Sequence, residues 1–404
     1  MFSLTHARGR VAVIGAVIAV LLIVGIWVAL NHASAQPSAS GRTGAAGKQG
    51  GTSATRTQAT PLRLVSETPA AGARSVDGTT DITIQFSAPV AASSPLPTIK
   101  PDVPGTWQGT GTSTLKFVPS GGFDQLTKVT VRIPGGASGI RSAHGGLLAK
   151  SVRFTFRTSP YSTTRLEQLL AQLDYLPLTW SAATGAATPA PTDRAAQVAA
   201  AYDPPQGSFT WQSGWPHKLK TFWQNGASTS LILKGAVMLF ENDHGLAMDG
   251  IPGPQVWSAL LKAVAKDQVS THGYSYALAS ESSPETLTVW HDGKIILHTL
   301  ANTGIQVAPT TLGTAPVYLR YYYQIMKGTN PDGSHYADPV YYVSYFRAGE
   351  AVHYFPRGSY GFPQSLGCVE LPFAQAKSVW PYMNYGTLVT VARGADTPAG
   401  SPTA

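Results

Sequence analysis

The segment Ile82-Thr83-Ile84-Gln85-Phe86 alternates apolar and polar side chains, and this period of two predicts a β-strand with one buried face. The same alternation returns around Val129-Thr130-Val131 and around Phe154-Thr155-Phe156. Turn-forming residues such as Pro134-Gly135-Gly136 separate these stretches. Several short strands divided by turns favour an antiparallel sandwich, so we predict a β-sandwich over residues 62–159.

The composition of the 404-residue chain narrows the possible classes of protein. Hydrophobic residues make up 43% and aromatic residues 10%, which excludes a wholly disordered chain. Charged residues reach only 12%, whereas there are 41 Gly and 30 Pro, which excludes a coiled coil and favours short strands and turns. A net charge of +8 suits anionic surroundings such as a membrane face or an acidic cell wall. We expect a mainly β, multidomain monomer that binds no nucleic acid.

The amino-terminal segment indicates in which cellular compartment the protein lies. Val11–Leu30 is an uncharged stretch of 20 residues that follows Arg8 and Arg10. As a helix it would span about 30 Å, the thickness of a bilayer core, and the arginines would hold its first end in the cytoplasm. We predict a transmembrane anchor within residues 1–35, with the rest of the chain extracytoplasmic. Ala33-Ser34-Ala35 also fits a cleavage site, so a removed signal and secretion to the cell wall is the alternative.

Two segments contain too few large apolar residues to form a core. Residues 36–61 are mostly Ser, Gly, Thr, Ala and Gln, and this composition predicts a flexible linker. Residues 394–404 form a polar, Pro-containing end that we expect to be disordered. Such a linker would allow the following domains to reach a target away from the membrane.

A helical pattern begins after the sandwich. Leu166, Leu169 and Leu170 lie at helical spacing, and the segment from Gly245 to Leu261 contains Gly-Leu, Asp-Gly, Gly-Pro, an aromatic residue and leucines in that order. This segment resembles the small three-helix peptidoglycan-binding module of wall enzymes, which predicts a wall-binding module over residues 165–265. A long insert at about residues 178–230 interrupts the resemblance.

The sequence contains a single cysteine, Cys368, within Ser365-Leu366-Gly367-Cys368-Val369-Glu370. It lies in a strand-rich segment, residues 273–393, which we predict to be a separate domain. An unpaired cysteine in an exported protein is either an inert thiol or a nucleophile. His353, 15 residues upstream, could accept the thiol proton and stabilise an ionised sulfur. The Gly367 and Cys368 amides could then hold an oxyanion.

The spacing His…Ser-x-Gly-Cys resembles the catalytic domain of L,D-transpeptidases, the YkuD-type family. The resemblance covers about residues 276–392 and includes a segment that begins at Asn302-Thr303-Gly304. It implies that residues 273–393 form a catalytic domain with a mixed β-sheet. It also implies Cys368 as nucleophile and His353 as general base, with Ser365 in the motif loop. The opening of the sandwich similarly resembles bacterial immunoglobulin-like modules.

Three positions depart from the motif of the family. Tyr354 replaces a glycine, Leu366 replaces a histidine and Glu370 replaces an arginine or asparagine. These three residues are our candidates for contacts with the substrate. The departures leave the pair of nucleophile and base intact.

The resemblance implies a two-step acyl transfer on peptidoglycan stem peptides, with no metal or organic cofactor. Cys368 would attack a tetrapeptide stem and release D-alanine, and an amine of a neighbouring stem would take the acyl group to form a 3-3 cross-link. Water as acceptor would give an L,D-carboxypeptidase side activity. Two alternatives stay open: a sortase-like transpeptidase, and a non-catalytic protein that binds the wall as a scaffold.

Overall fold

The structure, a computed structural model, describes residues 59–394. Its first part is a seven-stranded antiparallel sandwich, in which one sheet has the order β1-β2-β5-β4 and the other β3-β6-β7. The strands are β1 (Leu64–Thr68), β2 (Ile82–Phe86), β3 (Thr98–Lys100), β4 (Gly105–Gln108), β5 (Thr114–Pro119), β6 (Lys128–Ile133) and β7 (Val152–Arg157). The residues that alternate in the sequence turn their apolar side chains inward, as Ile84, Val131 and Phe154 show. The predicted β-sandwich is therefore present.

Helices follow the sandwich, and the predicted insert has structure of its own. The elements are α1 (Thr163–Gln172), β8 (Leu178–Ala182), α2 (Arg194–Tyr202), β9 (Gly207–Trp211), α3 (His217–Lys220), α4 (Leu231–Asp243) and α5 (Pro254–Ala265). Helix α5 begins at Pro254, directly after Gly253, and Trp257, Leu260 and Leu261 on it are buried. Strands β8 and β9 pair antiparallel, so the insert is a two-stranded sheet with helices beside it.

The insert contacts both the sandwich and the carboxy-terminal part of the chain. Arg194 on α2 forms a 2.8 Å ion pair with Asp124, and the Tyr202 hydroxyl donates to the Phe123 carbonyl at 2.8 Å. At the other end, Gly214 lies so close to Gly293 that an added Cβ would be 1.9 Å from the Gly293 oxygen. The insert thus contacts the domains on both sides.

The carboxy-terminal domain contains two mixed sheets. Its elements are β10 (Ser275–Ser280), β11 (Thr286–His291), β12 (Lys294–Leu300), β13 (Gly313–Pro316), β14 (Leu319–Thr329), β15 (His335–Arg347), β16 (Glu350–Tyr354), β17 (Val369–Leu371), α6 (Phe373–Val379), a 3-10 turn (Trp380–Tyr382) and β18 (Leu388–Ala392). The sheet orders are β12-β11-β10-β18-β13 and β14-β15-β16-β17. Strands β10 and β18 pair parallel, as do β16 and β17, while the other pairs are antiparallel. The mainly β, multidomain fold is confirmed.

The helices share one apolar core with this domain. Leu260 and Phe240 belong to the same buried cluster as Tyr276, Trp290 and Leu388 of the sheet. The inward face of the helical module is therefore used for packing on the sheet. Wall binding by residues 165–265 stays a prediction.

The predicted anchor Val11–Leu30, residues 36–58 of the linker and the last ten residues lie outside the described residues. Within residues 59–394, every helix is too short or too polar to cross a bilayer.

Two fully buried carboxylates in the helices make the stability of the fold depend on pH. Burial raises the pKa of Glu167 and of Glu241 to about 7 from the ordinary 4.5, although they accept backbone hydrogen bonds from Gly226 and Gly250. Because the folded-state pKa lies above the unfolded one, the folded protein takes up protons first as the pH falls. Its stability should therefore rise as the pH falls from about 7 towards 4.5.

Replacing Glu167 with Gln should raise the free energy of unfolding at pH 8 by about 1 to 3 kcal/mol, because the buried charge is removed. The gain in stability between pH 8 and pH 5 should shrink correspondingly. Denaturant unfolding at both pH values measures this, with Glu67→Gln on β1 as a partly exposed control. An unchanged pH profile in Glu167→Gln would contradict the assignment.

Candidate active site

The parallel pairing of β16 with β17 brings His353 and Cys368 to one cavity. Val352 lies opposite Val369 in the register, so His353 and Cys368 come from neighbouring strand positions. The cavity has a volume of about 660 Å³, and both residues line it. The long β14–β15 hairpin forms another wall, which includes Met326, Lys327, Asp332, Tyr336 and Asp338.

His353 is held as a neutral proton acceptor. The residue is 3% exposed, and its Nδ1–H donates to the Tyr354 carbonyl at 2.9 Å. Since Nδ1 carries the proton, Nε2 keeps a free lone pair. Burial lowers the pKa of His353, so the ring stays neutral at neutral pH. This is the protonation state that a general base requires.

The Cys368 thiol is neutral in this arrangement. The residue is partly exposed and lines the cavity, and its thiol donates to the Gly349 carbonyl at 3.8 Å. Burial, followed by the charges of Glu370 and Glu350, raises the pKa of the thiol to about 12. The ionised sulfur that the sequence analysis expects would therefore form only during the reaction, when the proton moves to His353. Two neutral groups line the cavity, and the proton must move during the reaction.

The loop before Cys368 is fixed by Ser365. The Ser365 hydroxyl donates to the Cys368 carbonyl at 2.6 Å and accepts from the Gly367 N–H at 3.2 Å. Gly367 has φ of 109°, a conformation that L side chains rarely adopt, which explains glycine at this position. Its N–H is bonded and so does not serve as the predicted oxyanion donor. The Cys368 N–H has no acceptor among residues 59–394 and stays available.

A buried network supports this loop from behind. Asn302 exchanges two backbone hydrogen bonds with Glu370, at 3.0 and 2.9 Å, and Ser365 N–H donates to the Thr303 carbonyl at 3.0 Å. The Glu285 carboxylate accepts from the Thr303 amide and hydroxyl at 2.6 and 2.7 Å. The segment that begins at Asn302 therefore positions the cysteine loop.

Glu370 takes part in an ion pair that the sequence analysis missed. Arg357 binds the Glu370 carboxylate through Nε at 2.7 Å and Nη2 at 2.8 Å, and Nη2 also donates to the Gln364 carbonyl at 3.0 Å. Glu370 is only 4% exposed, and its hydrogen bonds raise the pKa of Arg357. Nη1 of Arg357 makes no hydrogen bond to the described residues, and both side chains line the cavity. The guanidinium of Arg357, which lies in the loop after β16, thus pairs with Glu370, the acidic residue that replaces the arginine or asparagine of the family motif.

The other two predicted substrate contacts differ in placement. Leu366 lines the cavity and is 36% exposed, which fits a contact with substrate. The Tyr354 ring packs instead against Phe373, with ring centroids 5.1 Å apart, and is not part of the cavity wall. Neighbouring residues of a strand point to opposite faces, so a side chain next to His353 turns away. The structure does not support Tyr354 as a substrate contact; its carbonyl holds His353.

Within residues 59–394, no cluster of three or more His, Cys, Asp or Glu side chains is suited to a metal ion.

Comparisons with known proteins agree with this geometry. Residues 275–391 match the family model of the L,D-transpeptidase (YkuD) catalytic domain, and residues 58–158 match that of a bacterial Ig-like domain. The match over the catalytic segment disfavours the sortase-like alternative. No curated protein matches the chain.

Solved structures of L,D-transpeptidases are also similar. One from Mycobacterium smegmatis is 14% identical, and the similarity covers 82% of this chain and 100% of that chain, with a TM-score of 0.28. The catalytic domain from E. faecium is 27% identical over 29% of this chain and 96% of that chain, with a TM-score of 0.27. One from Stackebrandtia nassauensis is 20% identical, and the similarity covers 43% of this chain and 83% of that chain, with a TM-score of 0.25. Since these TM-scores are low, the assignment depends on the family models.

The two matched ranges leave the helical segment between them, and the cavity with Cys368 and His353 lies inside the second range. The chain therefore carries a bacterial Ig-like domain and, over residues 275–391, an L,D-transpeptidase catalytic domain.

Proposed function

We propose that this protein is an L,D-transpeptidase that forms 3-3 cross-links in peptidoglycan through an acyl-enzyme on Cys368. The observation that carries the proposal is the shared cavity of Cys368 and His353, with the imidazole held in the tautomer that accepts a proton at Nε2. The match to the catalytic-domain family supports the class of reaction.

In the first step the thiol proton moves to Nε2 of His353 while the sulfur attacks the carbonyl of the third stem residue. A tetrahedral oxyanion forms and accepts a hydrogen bond from the free Cys368 N–H. The carbon–nitrogen bond then breaks, and the imidazolium donates its proton to the amine of the departing D-alanine. A thioester of the tripeptide remains on Cys368.

The second step reverses these proton movements. An amine of a neighbouring stem gives a proton to Nε2 and attacks the thioester carbonyl, and the sulfur leaves and takes the proton back. The product is an amide between two stems. Water in place of the amine would give the carboxypeptidase side activity.

Charges in the cavity favour a zwitterionic stem peptide. Arg357, with its free Nη1, lines the same cavity as the thiol, and Asp332 and Asp338 line the hairpin side of the cavity. We propose that Arg357 binds a substrate carboxylate, which an acidic Glu370 alone would repel. The carboxylates of the hairpin would bind an ammonium group.

We also propose that the enzyme works outside the cytoplasm, anchored by Val11–Leu30 or secreted to the wall, where its positive net charge favours residence. The linker of residues 36–61 would let the catalytic domain reach stem peptides.

The test is incubation of the purified protein with a disaccharide-tetrapeptide and analysis by mass spectrometry. We expect a cross-linked dimer together with free D-alanine, and neither product from Cys368→Ala. If wild type gives no product but still sediments with isolated walls, the scaffold alternative replaces the enzyme.

A further inference from the structure

We propose that the outer face of the β3-β6-β7 sheet in the Ig-like domain binds an anionic polymer with repeated phosphodiester groups. The inference goes beyond acyl transfer and does not depend on it. We call this surface the basic face; its outward side chains are Thr98, Lys100, Lys128, Thr130, Arg132, Arg153, Thr155 and Arg157.

Strand alternation separates this face cleanly from the core. Val129, Val131, Phe154 and Phe156 point inward and are buried. The five cations of the basic face are exposed, and its threonines lie between them. Packing of the sandwich core therefore explains why the inward side chains are apolar, but it does not explain why the outward side chains are basic.

The register places like charges directly opposite one another. Lys128 pairs with Arg157 and Arg132 pairs with Arg153 across β6 and β7. Like charges at opposed positions destabilise a sheet, so both pairs oppose folding. No acidic side chain among residues 59–394 forms an ion pair with these four, whereas Lys100 has Asp102 at 2.6 Å. A bound anion would remove this repulsion.

The arrangement fits an extended anion. The two pairs lie four positions apart along each strand, which corresponds to about 13 Å. An open depression of about 580 Å³ lies at one end of the face and is lined by Lys100, Arg132 and Arg153. Two cationic pairs at this distance can bind two phosphate groups of one chain.

The side-chain chemistry favours phosphodiesters. Three of the four unpaired cations are arginines, which bind phosphate oxygens in bidentate fashion, and the threonine hydroxyls add donors between them. The outward positions of the three strands include no aromatic side chain to stack on bases and no apolar side chain to enter a bilayer. A phosphate-linked polymer of small sugars or polyols meets these requirements.

The test measures binding of the full-length protein, purified in detergent, to synthetic poly(glycerol phosphate). We expect binding that weakens with added salt, and a rise in melting temperature on addition of the polymer. Arg132→Gln/Arg153→Gln should weaken binding roughly tenfold or more, because two bidentate sites are lost. The matched control Lys262→Gln/Lys266→Gln removes two exposed cations, one on α5 and one directly after it, and should change binding less than about twofold.

The melting temperature measured without polymer checks that the variant folds. It should stay the same or rise in Arg132→Gln/Arg153→Gln, because the repulsion between these two opposed cations is removed. If both double variants bind the polymer equally weakly, only the net charge of the protein matters for binding, and the proposal is overturned. Equal or tighter binding to poly-L-glutamate, which carries carboxylates and no phosphate, would also overturn it.

Discussion

Acylation of Cys368 should slow by about 100- to 10,000-fold when His353 is replaced by Gln. The effect should be large because burial raises the pKa of the thiol to about 12, so almost no thiolate exists at neutral pH without a base. Single-turnover reaction with a tetrapeptide stem, followed by intact-protein mass spectrometry, measures the rate. His298→Gln on β12 is the matched control and should leave the rate near that of wild type.

The pH dependence of the same reaction follows from the imidazole. Burial lowers the pKa of His353, so the ring loses its proton at a pH below its ordinary range and acts as base across neutral pH. The acylation rate of wild type should stay level at neutral pH and fall only in more acidic solution. If His353→Gln keeps the wild-type rate, the sulfur ionises without the imidazole and the proposed base is wrong.

Arg357→Gln should lose both stability and substrate binding. It leaves the Glu370 carboxylate, 4% exposed, without its partner, and removal of one member of a buried ion pair costs about 3 to 5 kcal/mol. Arg357 itself is 27% exposed in its side chain, so the loss should lie at the lower end of that range. Unfolding in denaturant measures the change.

The double variant Arg357→Gln/Glu370→Gln separates the two roles. It removes both charges, so most of the lost stability should return. If Arg357 binds a substrate carboxylate, kcat/KM should stay at least about tenfold below wild type in the double variant, because a charged hydrogen bond is still missing. Full recovery of kcat/KM together with stability would restrict Arg357 to a structural role.

Much of the fold could be predicted from the sequence because its signals are local. The alternation around Ile84 and Val131 fixes which side chains enter the sandwich core, and Gly253-Pro254 marks the start of α5. The placement of Cys368 and His353 in one domain followed from their spacing. Strand alternation next to His353 would also have excluded the Tyr354 ring from the cavity.

The remaining features depend on contacts between distant segments. Arg357 and Glu370 meet because the loop after β16 folds back, and neither residue signals the other by spacing or type. The ionisation state of Cys368 depends on burial and on the charge of Glu350, which β16 brings near. The shared core of the helices and Tyr276 likewise appears only when the domains pack.

The central claim is that Cys368 forms a thioester with the stem peptide, and intact-protein mass spectrometry tests it most directly. After incubation with a tetrapeptide stem and no acceptor, we predict a mass increase equal to the donor minus D-alanine, localised by peptide mapping to Cys368 and absent from Cys368→Ala. An unmodified thiol, with the donor left uncleaved, would contradict the account.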